Sequence, residues 1–184
     1  PDENLIMMMQ ELFGYCLMTN ISAAAAFFFV GEGANGKSKM SEVLRAMVGA
    51  EYVAAMSLEE LTMNSFRTSN LVGKFLNLSN EEESKYMKSD KFKALVTGDS
   101  MTAERKFGDP FEFSPQVKLV FSTNEMPTFD GVNHGIRRRI KIIPFHHIVT
   151  KAERDPYIVD KILPEMPGIV SWALIGAQRL YEHG

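Results

Sequence analysis

Eight consecutive residues carry the strongest chemical signal in the sequence: Gly31-Glu32-Gly33-Ala34-Asn35-Gly36-Lys37-Ser38. They fit the pattern G-x-x-x-x-G-K-[ST] of a loop that binds phosphate. Its glycines let backbone N–H groups close around phosphate oxygens, and a helix opening at its end adds a favourable dipole. In that reading Gly31, Gly33, Asn35 and Gly36 shape the cradle. Lys37 reaches the β and γ phosphates, the Ser38 hydroxyl ligates Mg²⁺, and Lys39 follows at the helix start. The ligand expected is a nucleotide with Mg²⁺.

Hydrolysis needs a carboxylate near the metal and near the attacking water. Phe75-Leu76-Asn77-Leu78-Ser79-Asn80-Glu81-Glu82-Glu83 is an apolar strand that ends in acids. Glu81 is the first candidate for both duties, with Glu82 and Glu83 as substitutes; a solvated acidic loop is the plain alternative. Val117 to Asn124 is a second strand with a polar end. Asn124 would orient the lytic water, or else form the turn before Glu125-Met126-Pro127. Arg137-Arg138-Arg139 is a basic run. Arginine stabilises charge on a transferring phosphoryl group, sometimes from a neighbouring subunit, with a gain of roughly 10³–10⁵ in rate. An exposed basic turn or a contact to nucleic-acid phosphates would use the same residues.

These groups need elements to hold them. Ala25 to Val30 is short, apolar and bounded by glycines, which suits a buried strand of a parallel sheet. A helix is expected from Lys37 to Met47, stopped by Gly49. Leu5 to Leu17 has apolar residues at helical spacing, capped by Asp2, with Met7-Met8-Met9 as core filling. Lys91 to Val96 reads as a short helix capped by Ser89 or Asp90. Ile140 to Phe145 is a further strand. Helices near Tyr157–Leu163 and Gly168–Tyr181 are separated by Pro164 and Pro167. Met101 to Phe113 reads as a β-hairpin around Gly108-Asp109-Pro110. Alternation puts Thr102, Glu104 and Lys106 on one face and Ala103, Arg105 and Phe107 on the other. Lys106 beside an aromatic ring suits single-stranded nucleic acid, by phosphate neutralisation and base stacking. A charged edge that blocks aggregation is the structural alternative.

Strands alternating with helices imply a layered α/β sheet. The chain has 184 residues, 45% of them apolar, with 20 Lys+Arg against 23 Asp+Glu and a net charge of −3. That balance excludes a bulk polycation but leaves room for a local basic patch. The single cysteine, Cys16, excludes an internal disulfide and a zinc cluster, and suggests an intracellular protein. No apolar run approaches the roughly 18 residues of a membrane span, and no signal peptide opens the chain. Without an initiator Met, the chain reads as an excised fragment.

The order of these motifs resembles the superfamily III helicase domain of phage and plasmid primase-helicases, and is similar to the poxvirus primase-helicase ATPase. Gly31 to Ser38 matches Walker A. Leu71-Val72-Gly73-Lys74 leads into Walker B at Asn80-Glu81, where the family usually has Ser before the acid. Lys93 to Asp99 and the following hairpin look like the B-prime element. Phe121 to Pro127 looks like motif C, with Asn124 as its sensor, and Gly135 to Phe145 resembles the arginine-finger segment. Glu165 to Leu174 resembles the closing helix.

The resemblance implies a P-loop NTPase with an AAA+-like core: a central, mostly parallel sheet flanked by helices, a β-hairpin insertion and C-terminal helices. Residues 1–20 would be an N-terminal helix packing on or preceding the core, 21–150 the ATPase core, and 151–184 the closing helices. It implies a homo-hexameric ring with ATP between subunits. Arg138 or Arg139 would complete the neighbour's site. Arg105, Lys106 and Phe107 would line a pore around single-stranded DNA, moving 3′→5′. A primase or primase-polymerase domain is expected upstream, no membrane partner is expected, and the setting would be the cytoplasm of a bacterial host carrying a phage or mobile element. Competing readings are an AAA+ initiator or loader, a P-loop small-molecule kinase and a non-catalytic nucleotide-binding module. Fork unwinding separates the first, and a trans arginine with DNA-stimulated turnover separates the second. The set Glu81, Asn124 and Arg139 argues against the third.

Overall fold

The computed structural model describes residues 2–82, 86–131 and 134–183, with the backbone alone at residues 81, 82 and 86. Five strands form its central sheet: β1 (Ala26–Val30), β2 (Val53–Ala54), β3 (Leu76–Glu82), β7 (Lys118–Thr123) and β9 (Ile140–Pro144). The order across the sheet is β2-β3-β7-β1-β9, and every pairing is parallel. The fold is therefore mixed α/β around a parallel sheet.

Such a sheet must be covered on both faces, and the strand sequences show why it is. Along β1, Phe27 and Phe29 point to one core and Ala26 and Phe28 to the other. The first core is closed by α1 (Glu3–Leu17), α2 (Lys37–Val48) and α8 (Met166–His183), through Leu12, Phe13, Val43, Leu44 and Ala173. The second is closed by α3 (Leu58–Met63), α5 (Ser89–Thr97) and α6 (His134–Arg137), through Leu58, Leu61, Phe92, Leu95 and Ile136. Smaller elements complete the chain: α4 (Ser65–Thr68), the parallel pair β4 (Tyr86–Met87) and β8 (Thr128–Phe129), the antiparallel pair β5 (Met101–Ala103) and β6 (Phe111–Phe113), and α7 (Ile158–Ile162).

The first and last long helices brace each other. A Cβ on Gly176 would lie 2.1 Å from the Gln10 carbonyl, so only glycine permits this approach of α8 to α1. Gln10 Nε2 donates to the Trp172 carbonyl at 2.9 Å, and Arg179 reaches Glu11 and Gln10 at 3.1 and 2.7 Å. At the far end of α1, the fully buried Lys118 donates to the Met18 carbonyl and lies over the Tyr15 ring, 5.6 Å from its centre. A cation there complements the helix C-terminus and the ring face.

Several local expectations change. The N-cap of α5 is Lys88, and Ser89 instead binds Asp130, donating its N–H to the carboxylate at 2.6 Å. Met8 and Met9 pack against the core, but Met7 is exposed. Pro164 lies in the 3₁₀ turn Leu163–Glu165 that separates α7 from α8, as expected, whereas Pro167 lies in the first turn of α8, where a missing N–H costs nothing. The hairpin forms, but β5 stops at Ala103, so strict alternation does not extend to residues 104–107. Among the described residues, no helix is long and apolar enough to cross a membrane.

Candidate functional site

The chain reverses direction across the sheet at β1, which lies between β7 and β9, and such reversals leave a crevice at the strands' carboxyl ends. A cavity of about 1140 Å³ opens there. Residues 33–39 form one wall, Asn80 and residues 122–125 a second, and Val149 with residues 153–156 and Ile158 a third.

The first wall is the glycine-rich loop between β1 and α2. Its entry is fixed by Gly31 N–H, which donates to the Thr123 carbonyl at 3.2 Å. A Cβ on Gly31 would lie 2.2 Å from the Phe145 carbonyl, so the loop can pass the end of β9 only without a side chain. Gly36, at φ +90°, makes the last turn and is the N-cap of α2. Asn35 supports the loop from behind, its Nδ2 donating to the Phe145 carbonyl at 3.0 Å. Gly33 has open space around it. Among the described residues, no acceptor meets the backbone N–H groups of Gly33 through Ser38. This is a row of donors at a helix N-terminus, the arrangement that suits an anion.

Lys37 is largely buried, donates from Nζ to the Gly31 carbonyl, and burial pushes its pKa down from the usual lysine value. Ser38 is exposed on the cavity side of the first turn. Lys39, also on the cavity, pairs with Glu42 at 2.8 Å. Asn124 is exposed on the second wall, one residue past β7, opposite the loop. Thus the structure brings Gly33, Asn35, Gly36, Lys37, Ser38, Lys39 and Asn124 around one cavity.

The acidic candidates are placed by backbone alone. β3 runs beside β7 in regular register to Ser79↔Phe121, then shifts so that Glu82 pairs with Thr123. The irregularity falls on Asn80 and Glu81, and such bulges re-aim side chains at strand ends. Asn80 lines the cavity. The side chains of Glu81 and Glu82, and all of Glu83, lie outside the described residues. Among the described residues, no cluster of three or more His, Cys, Asp or Glu side chains could hold a metal by itself.

The arginines are elsewhere. Arg139 accepts at its carbonyl from Ala26 N–H at 2.8 Å, alongside the first residue of β1. The glycine-rich loop follows the last residue of that strand. The strand's length, roughly 16 Å at 3.3 Å per residue, separates them. Arg139 is tied down, its Nη1 donating to the Gly135 carbonyl at 2.7 Å, whereas Arg137 and Arg138 are exposed.

The hairpin lies toward the same end as the arginines. Gly98, at its base, packs against Ile21 and the Pro115 carbonyl, and β7 starts soon after it. Glu104 N–H donates to the Ser65 carbonyl at 3.4 Å. Arg105 lies over the Phe111 ring at 5.3 Å and Lys106 over the Phe107 ring at 5.2 Å. Phe107 is 96% exposed, far beyond what a core aromatic shows.

Sequence reasoning missed the third wall. Val149 N–H donates to the Ala34 carbonyl at 2.8 Å, and Phe145 N–H to the Val30 carbonyl at 2.7 Å. These bonds tie the start of a strap, residues 145–158, to the end of β1 and to the loop. No local pattern signals a contact between segments so far apart in the chain.

A family model described as "Family of unknown function (DUF5906)" matches residues 29–139, which includes the loop, β3, the hairpin, β7 and the arginines. The chain is 29% identical over 153 residues to "Putative helicase L207/L206" of Acanthamoeba polyphaga mimivirus, covering 79% of this chain and 16% of that protein. It is 27% identical over 145 residues to "Putative helicase 121R" of Invertebrate iridescent virus 3, covering 71% of this chain and 15% of that protein. The chain therefore spans a small part of the length of these relatives. Among solved structures, the apo NrS-1 C-terminal region (305–718) superimposes with a TM-score of 0.72 at 16% identity, over 91% of this chain and 41% of that one. An A-form apo structure of the same region gives 0.70 over 95% of this chain and 41% of that one. These likenesses show a shared fold.

Proposed function

The chain belongs to the DUF5906 family of unknown function, and from that premise we propose that it is the ATP-hydrolysing motor domain of a nucleic-acid helicase. The observation that carries this reading is the single cavity that gathers the glycine-rich loop, Lys37, Ser38 and Asn124, while the arginines lie one strand-length away. The names of the viral relatives point the same way.

In this reading the N–H groups of residues 33–38 hold the phosphates of ATP. Lys37 turns from the Gly31 carbonyl to the β and γ phosphates, and its partial burial strengthens that attraction. Ser38 and Glu81 would hold Mg²⁺, which would supply charge neutralisation at the phosphates. Glu81 accepts a proton from the attacking water, and Asn124 holds that water or the γ-phosphate in line. Arg138, exposed and without a side-chain partner among the described residues, is the better finger toward a neighbouring copy's site than the anchored Arg139. Arg105, Lys106 and Phe107 contact single-stranded DNA from the opposite end of the sheet. The finer assignment is a superfamily III, AAA+-like hexamer translocating 3′→5′.

Lys37→Ala tests the site directly. It should abolish binding of a fluorescent ATP analogue while far-UV circular dichroism stays that of the parent. Undiminished binding would remove the phosphate-loop reading.

A further inference from the structure

Resting on that reading of the cavity as an ATP site, we infer that Arg154 is a second phosphate-binding cation, supplied by the same subunit. It lies on the strap that follows β9 and lines the same cavity as the glycine-rich loop. Backbone bonds anchor the strap at two points, Phe145 N–H to the Val30 carbonyl at the end of β1 and Val149 N–H to the Ala34 carbonyl in the loop. A turn then fixes Arg154 itself, its N–H donating to the Thr150 carbonyl at 3.1 Å.

The neighbouring acids are already engaged. Glu153 accepts from Thr150 N–H at 2.8 Å and from its hydroxyl at 2.9 Å. Asp155 accepts from Lys161 Nζ at 2.5 Å and from Tyr157 N–H at 2.9 Å. Among the described residues, no acceptor meets the Arg154 guanidinium. The other cavity cations do have partners, Lys37 at Gly31 and Lys39 at Glu42. Arg154 is thus the cation with its full fork of donors available to a polyphosphate. A guanidinium binds phosphate by two parallel bonds, which a lysine cannot reproduce. Arg137–Arg139 cannot take this role in the same subunit, being a strand-length away.

The reading predicts a cis effect. Sedimentation fixes a concentration at which this chain is monomeric, and affinity for a fluorescent non-hydrolysable ATP analogue is measured there. Arg154→Ala should weaken binding by about tenfold or more, Arg154→Lys should recover part of the loss, and Lys151→Ala, an exposed cation on the same strap outside the cavity, should bind as the parent does. Parent-like affinity in Arg154→Ala, or equal losses in Arg154→Ala and Lys151→Ala, would overturn the assignment while leaving the ATP site intact. A parent that binds no nucleotide, with Lys37→Ala indistinguishable from it, would overturn the ATP reading and this inference together. Superimposable thermal melts without nucleotide exclude a folding explanation, since Arg154 is exposed.

Discussion

The two ends of the parallel sheet are built on opposite plans. At the carboxyl end, three segments distant in sequence converge on one cavity, and the loop lines it with backbone N–H groups that no acceptor among the described residues meets. At the amino end, two residues of the arginine run and the hairpin tip are exposed: Arg137, Arg138, Arg105, Lys106 and Phe107. A concave, converged set of donors is a binding site in its own right. An exposed set of cations beside a bare aromatic ring works only on something brought to it. The proposed reading assigns those two visitors as a neighbouring copy's ATP and single-stranded DNA.

The sharpest way to break this contrast is at Arg138. Within an assembled complex, Arg138→Ala should lower ATP turnover by roughly 10³–10⁵ while leaving each subunit's own cavity unaltered. Steady-state turnover alongside analogue binding separates the two effects. A loss of binding equal to the loss of turnover would place Arg138 in cis and erase the distinction between the ends.

At the converged end, Lys37→Ala should reduce turnover by about 10²-fold or more, as removal of one charge-stabilising donor does. Here binding falls too, which is the opposite signature. Gly31→Ala probes how the loop is seated: its Cβ would meet the Phe145 carbonyl at 2.2 Å. Denaturant unfolding should show a loss of about 1–3 kcal/mol, as for other overpacked contacts.

The hairpin gives a smaller effect. Lys106→Ala should weaken single-stranded DNA binding about equally for all sequences and shallow its salt dependence. Fluorescence anisotropy at several salt concentrations reads both, and an unchanged salt slope would take Lys106 off the DNA.

The smallest effect falls at a pair that does not line the cavity. Ser89 N–H bonds the Asp130 carboxylate and holds its pKa below the usual 3.8. A depressed carboxylate contributes stability above its unfolded pKa and loses it as pH falls through the folded value. Asp130→Ala should therefore melt earlier than the parent at pH 7, and the gap should narrow below about pH 3.8. A gap that stays constant with pH would mean that the charge is immaterial.

What was legible in the sequence divides along the same line. The glycine-rich loop is contiguous, so its residue types and the strand and helix on either side could be read locally. The five-stranded sheet was half legible, because β1, β3, β7 and β9 are apolar runs, while β2 has two residues and no pattern. Lys118 sits inside such a run and gave no sign that it would cap α1, since its partner, Met18, is 100 residues away. The strap escaped for the same reason, as Val149 meets Ala34 through backbone atoms that carry no residue signature. The hairpin's turn residues announced it, but facing could not be read past Ala103, where the ladder ends and Phe107 takes a positive φ of 64°. Which arginine is tethered was likewise invisible in three identical letters.

The central claim is that a converged site is completed by an arginine from another copy. Mixing two inactive variants tests it most directly. Lys37→Ala lacks a working cavity but keeps its arginines, and Arg138→Ala keeps its cavity but lacks the finger. ATP turnover is measured for each alone, for the mixture, and for the parent over a range of protein concentrations. The account predicts that parent turnover per subunit rises with concentration and that the mixture exceeds the sum of its parts. Turnover per subunit that is flat with concentration, with Arg138→Ala as active as the parent, would contradict it.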